Sequence, residues 1–98
     1  MYPLDRDRAA TLAAQIEAVD GVAALYPGKF GEITLLYPQV RVPGIRFSQD
    51  EKAVTIYLVA DVSVDTPLPH AADEVREIAA TALPDHTINI IFSEVSSL

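Results

Sequence analysis

The sequence feature that most constrains the fold is the long alternation of side chains from Ala53 to Val64. Successive side chains of a strand point to opposite faces of its sheet, so this alternation predicts a strand with one strongly apolar face. We expect one face to carry Val54, Ile56, Leu58, Ala60, Val62 and Val64. We expect the opposite face to carry Thr55, Tyr57, Val59, Asp61 and Ser63.

A helix and another strand follow this segment. Residues 65–67, Asp-Thr-Pro, are typical of a helix start, and Pro84 ends the helix because proline lacks the backbone N–H that a helix needs. The alternation over Thr87–Val95 predicts the last strand. A strand, a helix and a strand in this order favour two parallel strands joined by a right-handed crossover. The predicted core of this unit is Val54, Ile56, Leu58, Val75, Ile78, Ile88 and Ile90.

The first half of the chain predicts one helix and one strand. Apolar residues recur at helical spacing from about Asp7 to Val19, and Gly21 stands where a left-handed C-cap residue is expected. Residues 31–37 alternate as a strand does. The range Tyr37–Arg46 also has strand-forming residues, but its two prolines favour an edge strand or an ordered loop.

These elements predict a single domain over residues 1–98, with a core from about residue 7 to residue 95. The predicted fold class is α+β, with two helices on one face of a three-stranded mixed sheet, in the order α-β-β-α-β. Because both helices lie on one side, the other face of the sheet has no cover from within the chain.

The uncovered sheet face is the predicted protein-binding surface. Apolar side chains clustered on an exposed face are typical of an interface, and tyrosine is enriched there. Arg41 and Arg46 belong to the Tyr37–Arg46 segment, which we expect to form a rim that suits an acidic patch on a second copy. Self-association is therefore the first expectation for the partner. The predicted binding residues are Leu36, Tyr57, Val59, Ile91, Arg41 and Arg46.

Composition argues against several classes of partner. The chain has 14 acidic residues against 7 basic ones, and its formal net charge of −7 disfavours nucleic acid and anionic membrane surfaces. It has no cysteine, so it has neither a disulfide nor a thiolate metal site. The first residues lack the apolar stretch of a signal peptide, and no apolar run is long enough for direct membrane insertion. The expected location is the cytoplasm.

No residue pattern predicts a catalytic, cofactor-binding or metal site. His70, Glu74 and Asp65 are one candidate metal set, but a solvated histidine at a helix start accounts for them without a metal. His86 is interpreted as a turn residue. The sequence Gly-Lys-Phe-Gly at residues 28–31 fits the GXXG pattern of RNA-binding KH modules, but it does not join two predicted helices.

Four blocks of sequence, taken together, point to a known family. Residues 16–25 read IEAVDGVAAL, and residues 54–61 read VTIYLVAD. Residues 66–76 join TPLP to the acidic segment ADEVR, and residues 88–95 read INIIFSEV. In order and spacing these blocks resemble the alkaline shock protein family, a bacterial group tied to cell-envelope stress. The resemblance spans about residues 10–95.

The resemblance implies a non-enzymatic structural or adaptor protein without a cofactor, since the family has no established catalytic residues. It implies self-association or binding to another protein, including a membrane-anchored one, through which a cytoplasmic chain would reach the membrane. The residues leave open one alternative, a small ligand- or metal-binding regulatory domain.

Overall fold

A computed structural model describes residues 2–96. The α+β prediction is confirmed, whereas the predicted order α-β-β-α-β and the three-stranded sheet are wrong because the described residues form more strands. The elements in chain order are α1 (Arg6–Glu17), β1 (Val22–Leu25), β2 (Thr34–Tyr37), β3 (Val40–Pro43), β4 (Ile45–Phe47), β5 (Ala53–Asp61), α2 (Leu68–Ala82) and β6 (Thr87–Ser96).

The central sheet has four strands, although it is only three strands wide. β6 runs parallel to β5 along one edge, as predicted. The other edge of β5 is shared end to end by β4 and β1, both antiparallel to it. The joint lies at Tyr57, whose N–H donates to Gly44 O and whose C=O accepts from the N–H of Tyr26, each at 2.8 Å.

The segment 37–46 forms two strands rather than one strand or a loop. Pro43 ends β3, and Gly44, with φ +82°, turns the chain into β4. β3 pairs with β2 in a separate two-stranded sheet, in which Leu35 and Val42 lie opposite each other and are buried in the core. The prolines thus mark the boundaries of short strands.

The two helices cover one face of the central sheet. Of the seven residues predicted as the core of the strand–helix–strand unit, four are buried and three are partly buried and pack against them; these are Val54, Ile56, Leu58 and Val75, and Ile78, Ile88 and Ile90. The expectation that Val62 and Val64 continue the apolar face of this strand is wrong, because β5 ends at Asp61 and both valines are exposed. Asp5 caps α1, since its Oδ1 accepts from the N–H of Arg8 at 2.8 Å.

Tyr37, the last residue of β2, connects the two-stranded sheet to the N-terminal segment. The hydroxyl of Tyr37 donates to Leu4 O at 2.8 Å, and the ring of Tyr37 packs edge-on against Tyr2 with centroids 5.3 Å apart. Burial raises the pKa of the Tyr37 hydroxyl above the ordinary 10.0, with the nearby Tyr2 and Asp5 acting in the same direction. The folded protein therefore favours the neutral, donating form of this side chain.

Replacing Tyr37 by phenylalanine should lower the free energy of unfolding by about 0.5–1.5 kcal/mol at neutral pH, because the hydrogen bond to Leu4 is lost. Because the pKa of Tyr37 is raised in the folded protein, the unfolded chain loses this proton at a lower pH than the folded protein does. The contribution of Tyr37 to the free energy of unfolding therefore falls as the pH rises above 10.0 and through the pKa of the folded protein. Urea melts of both proteins at neutral and alkaline pH should show the difference shrinking with pH. A difference that grows with pH would contradict this assignment.

Candidate protein-binding surface

The face of the central sheet that the helices leave uncovered carries three of the predicted binding residues side by side. We call the outward residues of β4, β5 and β6 the open face. Tyr57 and Val59 on β5 are half-buried there, and Ile91 on β6 lies directly opposite Tyr57 and is 43% exposed. These apolar side chains form the centre of the open face.

Arg46 adds a positive charge to the open face at the end nearest β4. It lies opposite Thr55, and its Cζ is 5.7 Å from the centre of the Tyr57 ring. A guanidinium at this distance over a tyrosine is attracted by the ring electrons. The interaction holds the charge beside the apolar centre.

Two carboxylates outside the predicted set of binding residues lie toward the opposite end. Glu94 pairs with Val59 and is exposed, and Asp61 is the last residue of β5. The hydroxyl and the backbone N–H of Ser63 both donate to Asp61 and lower the pKa of this carboxyl, with the hydroxyl having the larger effect. Among the outward side chains of the open face, the positive charge of Arg46 therefore lies at one end and two carboxylates lie toward the other. The alternation from Ala53 to Val64 already placed Asp61 in the outward set.

Leu36 and Arg41 do not belong to this surface. They lie opposite each other in the two-stranded sheet of β2 and β3, and both are exposed. The N–H of Leu36 is 3.3 Å from the hydroxyl of Tyr2, to which it donates. The expectation that Leu36 would lie on a strand next to Tyr57 is therefore wrong. It failed because segment 37–46 forms two additional strands.

The two histidines occupy unlike environments. His70 Nε2 lies 3.4 Å from Glu74 Oε1 at the exposed start of α2. Over residues 2–96, no group of three or more His, Cys, Asp or Glu side chains is arranged to hold a metal ion. The ring of His86 packs edge-on against Phe47 with centroids 5.8 Å apart, and both ring nitrogens are shielded without a hydrogen-bond partner. His86 thus packs as an aromatic ring.

The Gly-Lys-Phe-Gly segment lies between β1 and β2. Gly28 and Gly31 have φ values of +90° and +76°, and the N–H of Ile33 closes the loop by donating to Pro27 O at 2.8 Å. Phe30 is 92% exposed at its tip. A KH module uses such a loop between two helices, and this loop joins two strands.

No protein-family model matches the chain, and comparisons with curated proteins and with solved structures also return no match. The likeness to the alkaline shock family therefore stays a prediction. Within the part of the chain that the structure describes, no helix has the length and apolar character to cross a membrane.

Proposed function

We propose that the chain is a non-enzymatic structural or adaptor protein that binds proteins through its open face, with a second copy of itself as the first partner. The role in cell-envelope stress and a membrane-anchored partner are parts of this proposal that rest on the alkaline shock resemblance alone, and the cytoplasmic location rests on the sequence pattern of the first residues. The open face and its charge distribution support the binding role independently of that resemblance.

The observation that carries the proposal is the difference between the two faces of β5. The inward residues Val54, Ile56 and Leu58 are 0% exposed beneath the helices. The outward residues Tyr57 and Val59 are only half-buried, and Ile91 beside Tyr57 is 43% exposed. A second layer on the open face would remove this apolar surface from water, which is the main driving force of association.

Charge supports a second copy as that layer. Arg46 stands at one end of the open face, and Asp61 and Glu94 stand toward the other. When two identical sheets pack face to face about a two-fold axis across the strands, the basic end of each meets the acidic end of the other. The arginine of one copy then neutralises carboxylates of the other, which offsets part of the repulsion between chains of net charge −7.

The test is the double variant Tyr57→Glu, Val59→Lys. It places two charges at the centre of the open face and leaves the inward core residues unchanged. We expect the wild type to associate in a concentration-dependent way and the variant to form a smaller assembly, as measured by light scattering after gel filtration. A matched control is Ala10→Lys, Ala80→Glu, which adds the same charges at exposed helix positions and should leave the assembly unchanged.

A wild type that is monomeric at every concentration would contradict self-association. An associated wild type whose mass and affinity are unaffected by the double variant would place the contact elsewhere on the molecule.

A further inference from the structure

A second contact surface lies at the free edge of β6. The strand pairs with β5 on one side, and no strand within residues 2–96 pairs with its other side. At its start, the N–H of Thr87 donates to Lys52 O at 3.0 Å, on the side of β5. Because a parallel ladder uses alternate residues, the N–H and C=O groups of Ile88, Ile90 and Phe92 point toward the free edge.

The inward side chains of β6 are incompletely buried at this unpaired edge. The β5 residues beside them are 0% exposed, whereas Ile88, Ile90 and Phe92 are only half-buried. A further strand on this edge would cover their exposed sides. Proteins usually protect an exposed edge with charged residues, proline, a β-bulge or a very short strand. β6 is 10 residues long, and residues 87–92 carry none of these devices, since the irregularity and Glu94 come only after Phe92.

We propose that β6 pairs with β6 of a second copy, antiparallel, about a two-fold axis at Ile90. The inference rests on the proposed function because it assumes that copies associate, and it adds a contact separate from the open face. In this register Ile90 exchanges hydrogen bonds with its counterpart, and Ile88 does so with Phe92. Asn89 lies opposite Ile91 of the second copy.

A second copy fits this edge because β6 is complementary to itself. Its inward side chains are apolar on both sides of Ile90, so apolar groups meet apolar groups across the axis. Residues 87–93 are also uncharged, and the first charged residue, Glu94, follows the irregularity in the pairing with β5. Two chains of net charge −7 therefore meet here without like charges directly opposite.

The pairing has a consequence for the open face. A two-fold axis perpendicular to the sheet puts the helices of both copies on one side and both open faces on the other. The two open faces then form one continuous surface. Packing of two such double sheets through their open faces combines both contacts in an assembly larger than a dimer.

Amide hydrogen exchange followed by NMR tests the pairing residue by residue. In dilute protein, the amides of Asn89 and Ile91 should be protected by β5, and those of Ile88, Ile90 and Phe92 should exchange quickly. As the protein associates, the second set should slow by roughly tenfold or more, since each gains a partner. The same slowing should persist in Tyr57→Glu, Val59→Lys, because those side chains lie on the face and not on the edge.

A pair of charge variants tests the register. Asn89→Lys, Ile91→Lys places like charges opposite each other across the axis, whereas Asn89→Glu, Ile91→Lys places opposite charges there. Both positions are exposed, and both variants carry the same replacement at residue 91. We expect the first variant to associate roughly tenfold more weakly than the second.

Fast exchange at Ile88, Ile90 and Phe92 in fully associated protein would overturn the edge pairing and leave the open-face contact standing. Equal association of the two charge variants would overturn the proposed register. A wild type that never associates would overturn the edge pairing together with self-association through the open face.

Discussion

Replacing Ile56 by alanine should lower the free energy of unfolding by about 2–5 kcal/mol, the usual cost of truncating a buried isoleucine. Ile56 lies at the middle of the central strand, is 0% exposed, and faces the helices between β4 and β6. No rearrangement of an exposed loop can fill the cavity, because strands flank the residue on both sides. A domain of this size has modest total stability, so the loss would be a large fraction of it.

Ile91→Ala is the matched control, because it makes the same truncation on the adjacent strand at a 43% exposed position. Chemical melts at low protein concentration, where association does not contribute, should show a much smaller loss for Ile91→Ala than for Ile56→Ala. Equal losses of stability would contradict the assignment of inward and outward faces, and a larger loss for Ile91→Ala would show that the two faces are inverted.

Replacing Gly44 by alanine should also lower the free energy of unfolding, by about 2–5 kcal/mol in total. The φ of +82° would place a side chain in the left-handed region, at a cost of about 1–2 kcal/mol. An added Cβ would also lie 2.8 Å from Leu25 Cβ and 2.9 Å from Tyr57 O. Both neighbours belong to the joint where β1 and β4 meet β5, so relieving the contact would shift that joint, at roughly 1–3 kcal/mol.

Gly31→Ala separates these two effects. Gly31 has a φ of +76°, close to that of Gly44, but an added Cβ would meet no atom within 4 Å. Thermal or chemical melts should therefore show the backbone cost alone for Gly31→Ala and the larger combined cost for Gly44→Ala. Equal losses would mean that the close packing of Gly44 against Leu25 and Tyr57 does not contribute.

The sequence predicted those elements whose side-chain pattern is long enough to show a period. β5 and β6 alternate over many residues, and α1 and α2 carry apolar stripes, so their existence and inward faces followed from the residues. β1 and β4 are 4 and 3 residues long, too short to display a period. These two segments form strands because they pair with β5. That pairing joins residues distant in sequence, so no local pattern predicts it.

The candidate surface was predicted in part for the same reason. Tyr57, Val59 and Ile91 lie together because the alternation of β5 and β6 determines which side chains point outward, and the parallel register then aligns them. Arg46 reaches the surface through β4, although the sequence predicted only that its segment would form a rim. Leu36 was misplaced because its position depended on where the chain turns after Tyr37.

The mass of the wild-type chain in solution, measured by sedimentation over a wide range of concentrations, tests the central claim most directly. We expect a mass that rises with concentration above the 10.6 kDa of one chain, to an assembly larger than a dimer. Combining Tyr57→Glu and Val59→Lys with Asn89→Lys and Ile91→Lys should return the mass to that of one chain. A wild type that sediments at 10.6 kDa at every concentration would contradict self-association through either surface.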